Sequence, residues 1–148
     1  MEIQEPNHKV VAVIDTNLFI SGLFGQNSTT TTLQDLWIRQ EFQLGTSLEI
    51  MKEVNRVLQY PKIKQRLIDD DQLIRRFFRL VFRKAVVTQD SFQTDKIVAD
   101  PTDNKFLACA LEIKADYIIS GDNHLLSLKH FHNIQIVDAA SFIKQITK

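Results

Sequence analysis

Acidic side chains stand at the ends of several segments that the sequence predicts to be β-strands. Asp15 directly follows the apolar run VVAVI, and Asp122 follows the run YIIS after a single glycine. Asp100 and Asp103 lie in a DPTDN stretch that opens a predicted helix, and Glu53 lies in the helix after the second predicted strand. In an open parallel sheet the carboxyl ends of the strands share one edge, so we expect these acids to converge.

Converging carboxylates predict a cation site. Like charges at short range repel one another and raise at least one pKa, unless a cation neutralises them. A ligand set made of oxygens alone favours Mg²⁺ or Mn²⁺ over zinc. Such ions suit the hydrolysis of phosphodiesters, because they lower the pKa of a bound water and offset charge on the leaving oxygen.

The aspartates also have structural explanations. Asp15 and Asp122 could each cap a helix that begins after them. An unpaired charge at the end of a buried strand is costly, however, and this favours a functional role for Asp15. Asp100 before Pro101 fits a helix N-cap, and Asp103 then lies where a capping-box acid lies.

The two glutamates of the second helix can be separated. Thr46 followed three residues later by Glu49 fits a capping box, which gives Glu49 a structural role. Glu53 has no such role and lies one helical turn further along the same face. The functional interpretation of Glu53 competes with that of a solvated glutamate.

Alternating strands and helices must position these residues. The pattern predicts an α/β fold, a three-layer α/β/α sandwich around a central, mainly parallel five-stranded sheet. The predicted strands are residues 10–14, 42–46, 85–88, 117–120 and 134–137. The predicted helices are residues 33–40, 47–59, 71–84, 102–114 and 139–146, with a loop at the NSTTTT stretch of residues 27–32.

Composition limits the class of protein. The chain has 148 residues, the size of one domain, and 44% of them are hydrophobic, which excludes disorder. Eighteen basic and eighteen acidic residues cancel, so any nucleic-acid binding must use a local patch. The single cysteine, Cys109, excludes an internal disulfide and suits a reducing compartment such as the cytoplasm. No apolar stretch is long enough for a membrane span, and residues 1–8 are expected to be a flexible segment.

Four separated motifs resemble one known family. These are VVAVIDTNLFIS, the helix carrying Glu53, DPTDNKFLACAL, and ADYIISGDNHLLSL followed by IQIVDAASFI. In this order they resemble the PIN (PilT N-terminus) domain, and in particular the single-domain toxin components of type II toxin–antitoxin modules. The resemblance extends over roughly residues 10–143 and implies a single PIN-like domain over residues 1–148.

The resemblance implies a ribonuclease that depends on Mg²⁺ or Mn²⁺ and leaves a 5′-phosphate. The family's catalytic and metal-binding acids fall on Asp15, Glu53, Asp103 and Asp122, with Glu53 holding a metal-bound water or a second ion. Supporting positions fall on Thr16, Asn17, Ser21, Asp100 and Ser120. The implied partners are RNA and a cognate antitoxin, with a homodimer as a family expectation and no membrane.

The predicted helix 71–84 is strongly amphipathic. Seven apolar residues cover one broad face, and four arginines fall within about 100° of arc on the other. These are Arg75, Arg76, Arg79 and Arg83. They form either a solvated face or a contact for RNA phosphates or an acidic partner.

Two other functions compete with the nuclease. A phosphotransfer domain also uses an aspartate after a parallel strand, but a phosphatase of that type needs a second acid at position 17, which is Asn17. A non-catalytic PIN-fold module that binds RNA or protein is the other alternative. The full acidic set argues against it.

Overall fold

The computed structural model describes residues 9–25, 27–67, 71–89 and 104–147. The strands are β1 (Val11–Ile14), β2 (Gln43–Ser47), β3 (Val86–Thr88), β4 (Tyr117–Ile119), β5 (His130–Phe131) and β6 (Ile134–Val137). The helices are α1 (Thr16–Phe24), α2 (Ser28–Ile38), α3 (Leu48–Leu58), α4 (Pro61–Lys64), α5 (Asp71–Lys84), α6 (Asn104–Ile113), α7 (Asn123–Leu126) and α8 (Ala139–Ile146), with a 3₁₀ turn at Gln65–Leu67. Within these ranges no helix combines the length and the hydropathy that crossing a bilayer requires.

The strands form one sheet in the order β3-β2-β1-β4-β6-β5, and every neighbouring pair is parallel except β5 and β6. From β1 the chain builds outward through β2 and β3, and it then continues on the other side of β1 with β4 and β6. The strand order therefore reverses between β1 and β4. In open α/β sheets the crevice at such a switch point, beyond the carboxyl ends of the strands, is where ligands bind.

The predicted α/β architecture, a mainly parallel sheet flanked by helices, is confirmed. The predicted number of five strands is wrong, because the described residues form six. The additional strand, β5, is two residues long and antiparallel to β6. Lys129 and His132 flank it with positive φ angles of 62° and 55°. A pair of residues carries no periodicity, which is why the pattern did not indicate this strand.

The predicted loop at residues 27–32 is also wrong beyond its first residue, since α2 begins at Ser28. The side chain of Asn27 accepts hydrogen bonds from the backbone N–H groups of Thr29 (2.8 Å) and Thr30 (3.2 Å). An asparagine N-cap satisfies the unpaired donors of the first turn. The cap thereby overrides the low helix propensity of the threonine run.

Large aromatic side chains fill the core. Trp37, Phe19, Phe42 and Phe142 are fully buried, and the rings of Phe42 and Phe142 meet edge-to-face at 4.9 Å. Phe82 is not part of this core, since it is 49% exposed. Phe82 lies at the rim of the apolar face of α5, beside the arginines, where the helix turns toward solvent.

Candidate active site

Asp15 lies at the carboxyl end of β1, as predicted, and is only 5% exposed. It is also the N-cap of α1, since its Oδ1 accepts a hydrogen bond from the N–H of Leu18 at 3.0 Å. The structural and the functional interpretations are therefore not exclusive. The cap uses one carboxylate oxygen, and the second oxygen, Oδ2, faces the end of β4.

The residues after β4 hold that second oxygen. Ser120, which is completely buried, donates its hydroxyl to Asp15 Oδ2 at 2.5 Å, and the N–H of Gly121 donates to the same oxygen at 3.2 Å. Ser120 Oγ in turn accepts a hydrogen bond from the N–H of Asp122 at 2.9 Å. One serine thus ties the carboxyl ends of β1 and β4 together and places Asp122 beside Asp15.

Burial raises the pKa of Asp15 above its usual value. The hydrogen bonds from Ser120, Leu18 and Gly121 lower that pKa, but only in part, and the negative charge of Asp122 raises it further. All the described donors to Asp15 are neutral. The ionised carboxylate is therefore held in a place that favours the arrival of a cation.

Asp122 is more accessible, with a side chain that is 36% exposed. It is the N-cap of the short helix α7, and its Oδ1 accepts from the N–H of His124 at a long 3.4 Å. The imidazole Nδ1 of His124 lies 4.0 Å from the same oxygen. The cap is loose and the side chain is open to solvent, so Asp122 can bind a ligand while it caps the helix.

Glu53, on α3, is not a solvated glutamate, because it is only 16% exposed and both its oxygens have partners. The hydroxyl of Thr16 donates to Oε2. The ammonium Nζ of Lys105 lies 2.7 Å from Oε1, and Arg56 Nη2 lies 3.5 Å from it. The carboxylate thus joins the start of α1 to the start of α6.

The capping box predicted for Thr46 and Glu49 is wrong. The N-cap of α3 is Ser47, whose hydroxyl accepts from the N–H of Ile50 at 3.1 Å. Thr46 is still within β2, and its hydroxyl contacts Met51 Sδ at 3.4 Å. The strand runs one residue further than predicted, which moves the cap by one position.

The side chains of Asp15, Glu53 and Asp122 line one cavity of about 540 Å³ at the switch point of the sheet. Its walls combine carboxylates, polar side chains and apolar residues of four helices and of the turn after β4. The described residues that line it are Asp15, Thr16, Asn17, Leu18, Glu53, Val57, Phe106, Gly121, Asp122 and Asn123.

Other predicted site residues lie elsewhere. Asp100 and Asp103 lie outside the described residues. The hydroxyl of Ser21 lies 3.0 Å from that of Thr30, between α1 and α2 rather than at Asp15. The arginines predicted to bind RNA are exposed on α5 and do not line the cavity; they are Arg75, Arg76, Arg79 and Arg83. In the described part of the chain no three acids, histidines or cysteines come together as a metal-binding group.

Lys105 is the residue that the sequence analysis missed. It is 11% exposed and brings a positive charge to the acidic site through Glu53. One signal was present in the sequence, because Lys105 lies in the first turn of an apolar helix. The helix dipole disfavours a cation at that end, so a lysine there calls for a nearby anion.

Comparison with known proteins identifies the family of the chain. A family model described as a PIN domain matches residues 11–124. The uncharacterized protein MJ1680 of Methanocaldococcus jannaschii is 32% identical over 121 residues, which cover 82% of this chain and 76% of the relative.

Two solved structures have a similar fold. PAE2754 from Pyrobaculum aerophilum has a TM-score of 0.61 and 15% identity, with 93% of this chain and 90% of that chain covered. VapBC2 from Rickettsia felis, bound to a DNA fragment from their promoter, has a TM-score of 0.57 and 10% identity, with 86% of this chain and 97% of that chain covered.

Proposed function

Because the chain belongs to the PIN domain family, whose members are generally nucleases, we propose that it is a ribonuclease that depends on a divalent metal ion. The observation that carries this proposal is the buried carboxylate of Asp15, with only neutral described donors and with Asp122 beside it, in a cavity at the switch point. The reaction is the hydrolysis of RNA phosphodiester bonds, which leaves a 5′-phosphate.

The donor set fits a hard divalent cation. Asp15 and Asp122 offer carboxylate oxygens at one end of the cavity, and Mg²⁺ and Mn²⁺ prefer such ligands. We propose that Asp15, Asp122 and Asp103 hold the ion and that Glu53 acts beside it. When bound, the ion supplies Lewis acidity, which lowers the pKa of water and offsets charge on the leaving oxygen.

The chain's own residues orient the reacting groups. Ser120 and the N–H of Gly121 hold the Asp15 carboxylate in one orientation, and Thr16 holds that of Glu53. The exposed amides of Asn17 and Asn123 can donate hydrogen bonds to phosphate oxygens at the mouth of the cavity. Asp100 is proposed as a supporting acid, and Ser21 keeps a supporting role only as a prediction.

We further propose that the protein is the toxin of a toxin–antitoxin pair in the cytoplasm. Its motifs resemble those of single-domain toxin components, and its fold is similar to that of VapBC2. The proposed partners are a cognate antitoxin and a second copy of the chain. A PIN-fold module without catalysis is the alternative that the next experiment distinguishes.

The test is cleavage of a labelled single-stranded RNA by metal-stripped protein, with Mn²⁺ added back. We expect cleavage only with Mn²⁺, and we expect Asp15→Asn to reduce it to the level of a protein-free reaction. Asp35→Asn, which removes an exposed acid of α2, is the matched control and should keep full activity. Retained cleavage in a folded Asp15→Asn protein would show that the site is assigned wrongly.

A further inference from the structure

We propose that the ammonium group of Lys105 takes the place of a second divalent cation, so that the site binds a single divalent ion at Asp15 and Asp122. This inference rests on the proposed function and concerns only which positive charges of the site come from the protein and which come from a metal ion. It follows from a difference between carboxylates that line the same cavity, because Glu53 is already paired with the ammonium of Lys105, whereas the described donors to Asp15 are neutral.

Both carboxylate oxygens of Glu53 already have partners within the protein. Oε2 accepts the Thr16 hydroxyl, and Oε1 lies 2.7 Å from Lys105 Nζ. Both members of the ion pair are largely buried, at 16% exposure for Glu53 and 11% for Lys105. Because electrostatic attraction is stronger in a low-dielectric setting than in water, this pair is not readily replaced by solvent.

A divalent ion bound directly to Glu53 would meet two obstacles. It would have to displace the Lys105 ammonium from Oε1, or it would have to lie beside that ammonium and bear the repulsion between like charges. Displacement would leave Lys105 largely buried without its partner, which costs free energy. The guanidinium of Arg56, whose Nη2 lies 3.5 Å from the same Glu53 oxygen, adds further positive charge there.

The charge around Asp15 and Asp122 is balanced differently. Asp15 accepts hydrogen bonds from a hydroxyl and two backbone N–H groups, and within the described ranges no ammonium or guanidinium contacts it. Asp122 adds a second negative charge there. Its described titratable neighbour is His124, whose Nδ1 is 4.0 Å away. Asp15 and Asp122 are therefore the carboxylates that a bound cation would stabilise most.

The position of Lys105 supports this assignment. It lies in the first turn of α6, where the helix dipole disfavours a cation. Its Nζ also lies 6.0 Å from the ring centroid of Phe106, which lines the cavity. The lysine is thus held next to the cavity by Glu53, and its charge neutralises that of the Glu53 carboxylate. In this role Lys105 is a positioning residue that acts through Glu53.

The experiment counts Mn²⁺ ions bound per chain by isothermal titration calorimetry and by electron paramagnetic resonance of free Mn²⁺, without RNA. We expect one ion for the unmodified protein and for Lys105→Arg, and two ions for Lys105→Met, which keeps the unbranched shape and most of the length of the side chain but lacks the charge. Lys52→Met, on the exposed face of α3, is the matched control and should bind one ion. Asp15→Asn should lose the single ion.

Two ions in the unmodified protein would overturn this inference and leave the proposed function intact. A folded Lys105→Met protein that binds one ion would overturn it as well. No Mn²⁺ binding in any variant would overturn this inference together with the metal-dependent function on which it rests. If Lys105→Met does not fold, the count for the unmodified protein and for Lys105→Arg still decides between one ion and two.

Discussion

Asp15 combines three roles in one carboxylate, since it ends a strand, caps a helix and faces the cavity. The cap and the strand end are satisfied by neutral donors, which stabilise the charge without cancelling it. Burial and the proximity of Asp122 leave the pKa raised. A neutral side chain could serve as the cap without the cost of burying a carboxylate, so the presence of an aspartate here argues for a ligand.

The raised pKa predicts how the metal-free protein responds to pH. The folded state holds the Asp15 proton more tightly than the unfolded state, whose pKa is near 3.8. Below about pH 3.8, Asp15 is protonated in both states. Above that pH the unfolded state loses the proton first, so the free energy of unfolding decreases until the pH exceeds the folded-state pKa. Asp15→Asn, which keeps a capping side chain, lacks this cost.

We therefore expect the melting temperature of Asp15→Asn, relative to that of the unmodified protein in EDTA, to increase as the pH rises above about 4 and to level off once the pH exceeds the folded-state pKa of Asp15. Each kcal/mol of difference corresponds to roughly 2–4 °C at this chain length. Circular dichroism at a series of pH values measures it, with Asp35→Asn as the control for loss of one exposed negative charge. A difference that falls as the pH rises would contradict the raised pKa.

The sequence predicted some site residues and not others, for a physical reason. Asp15 and Asp122 could be found because a carboxylate within three residues of the end of a buried strand is a local signal. The Lys105–Glu53 pair joins residues 52 positions apart on two helices, and no local pattern records such a contact. The partner of Ser21 could not be predicted either, because it depends on how α1 packs against α2.

At the scale of elements, the close packing of α6 on the sheet depends on Gly45 in β2. A methyl group added at Gly45 would lie 1.9 Å from Ile113 Cδ1, and its other neighbours would be at ordinary contact distances. Space for the helix is therefore made by the absence of one side chain. This matters for the site, because α6 also carries Lys105 and Phe106.

We expect Gly45→Ala to destabilise the protein by about 1–3 kcal/mol, as overpacking of a core does. Ile113→Val removes the atom that clashes and alone should cost about 0.5–1.5 kcal/mol. The double variant should be more stable than the sum of the two single changes predicts, because the methyl group then has room. Urea denaturation of the four proteins measures the coupling, and purely additive effects would contradict this packing.

Elements differ in how visible they are in the sequence. The strands β1 and β4 are continuous apolar runs, which is typical of strands buried on both faces. The positions of β1, β2 and β4 were predicted to within one residue. The helix α1 was not predicted as an element. It follows β1 after the single residue Asp15, and six of its nine residues are apolar (counting glycine), so no polar face reveals its period.

At the scale of the whole molecule, balanced charge hides a local asymmetry. The chain is neutral, with eighteen basic and eighteen acidic residues, yet α5 presents Arg75, Arg76, Arg79 and Arg83 together on an exposed face. A neutral molecule that cuts RNA needs such a surface to attract the phosphate backbone. We propose that this face of α5 contacts RNA.

Replacing Arg75, Arg79 and Arg83 with glutamine should weaken RNA binding and make it less sensitive to salt. Each phosphate contact to single-stranded RNA contributes a slope of about −0.7 to a plot of log affinity against log salt, so losing three contacts reduces the steepness by up to about 2. Fluorescence anisotropy at several salt concentrations measures both effects, with all proteins carrying Asp15→Asn so that the RNA stays intact.

Replacement of the exposed Arg39, Lys114 and Lys144 makes the same change in net charge elsewhere and should leave the slope unchanged. If the two triple variants bind alike, or if the affinity does not depend on salt, α5 is a solvated face and the RNA contact lies elsewhere.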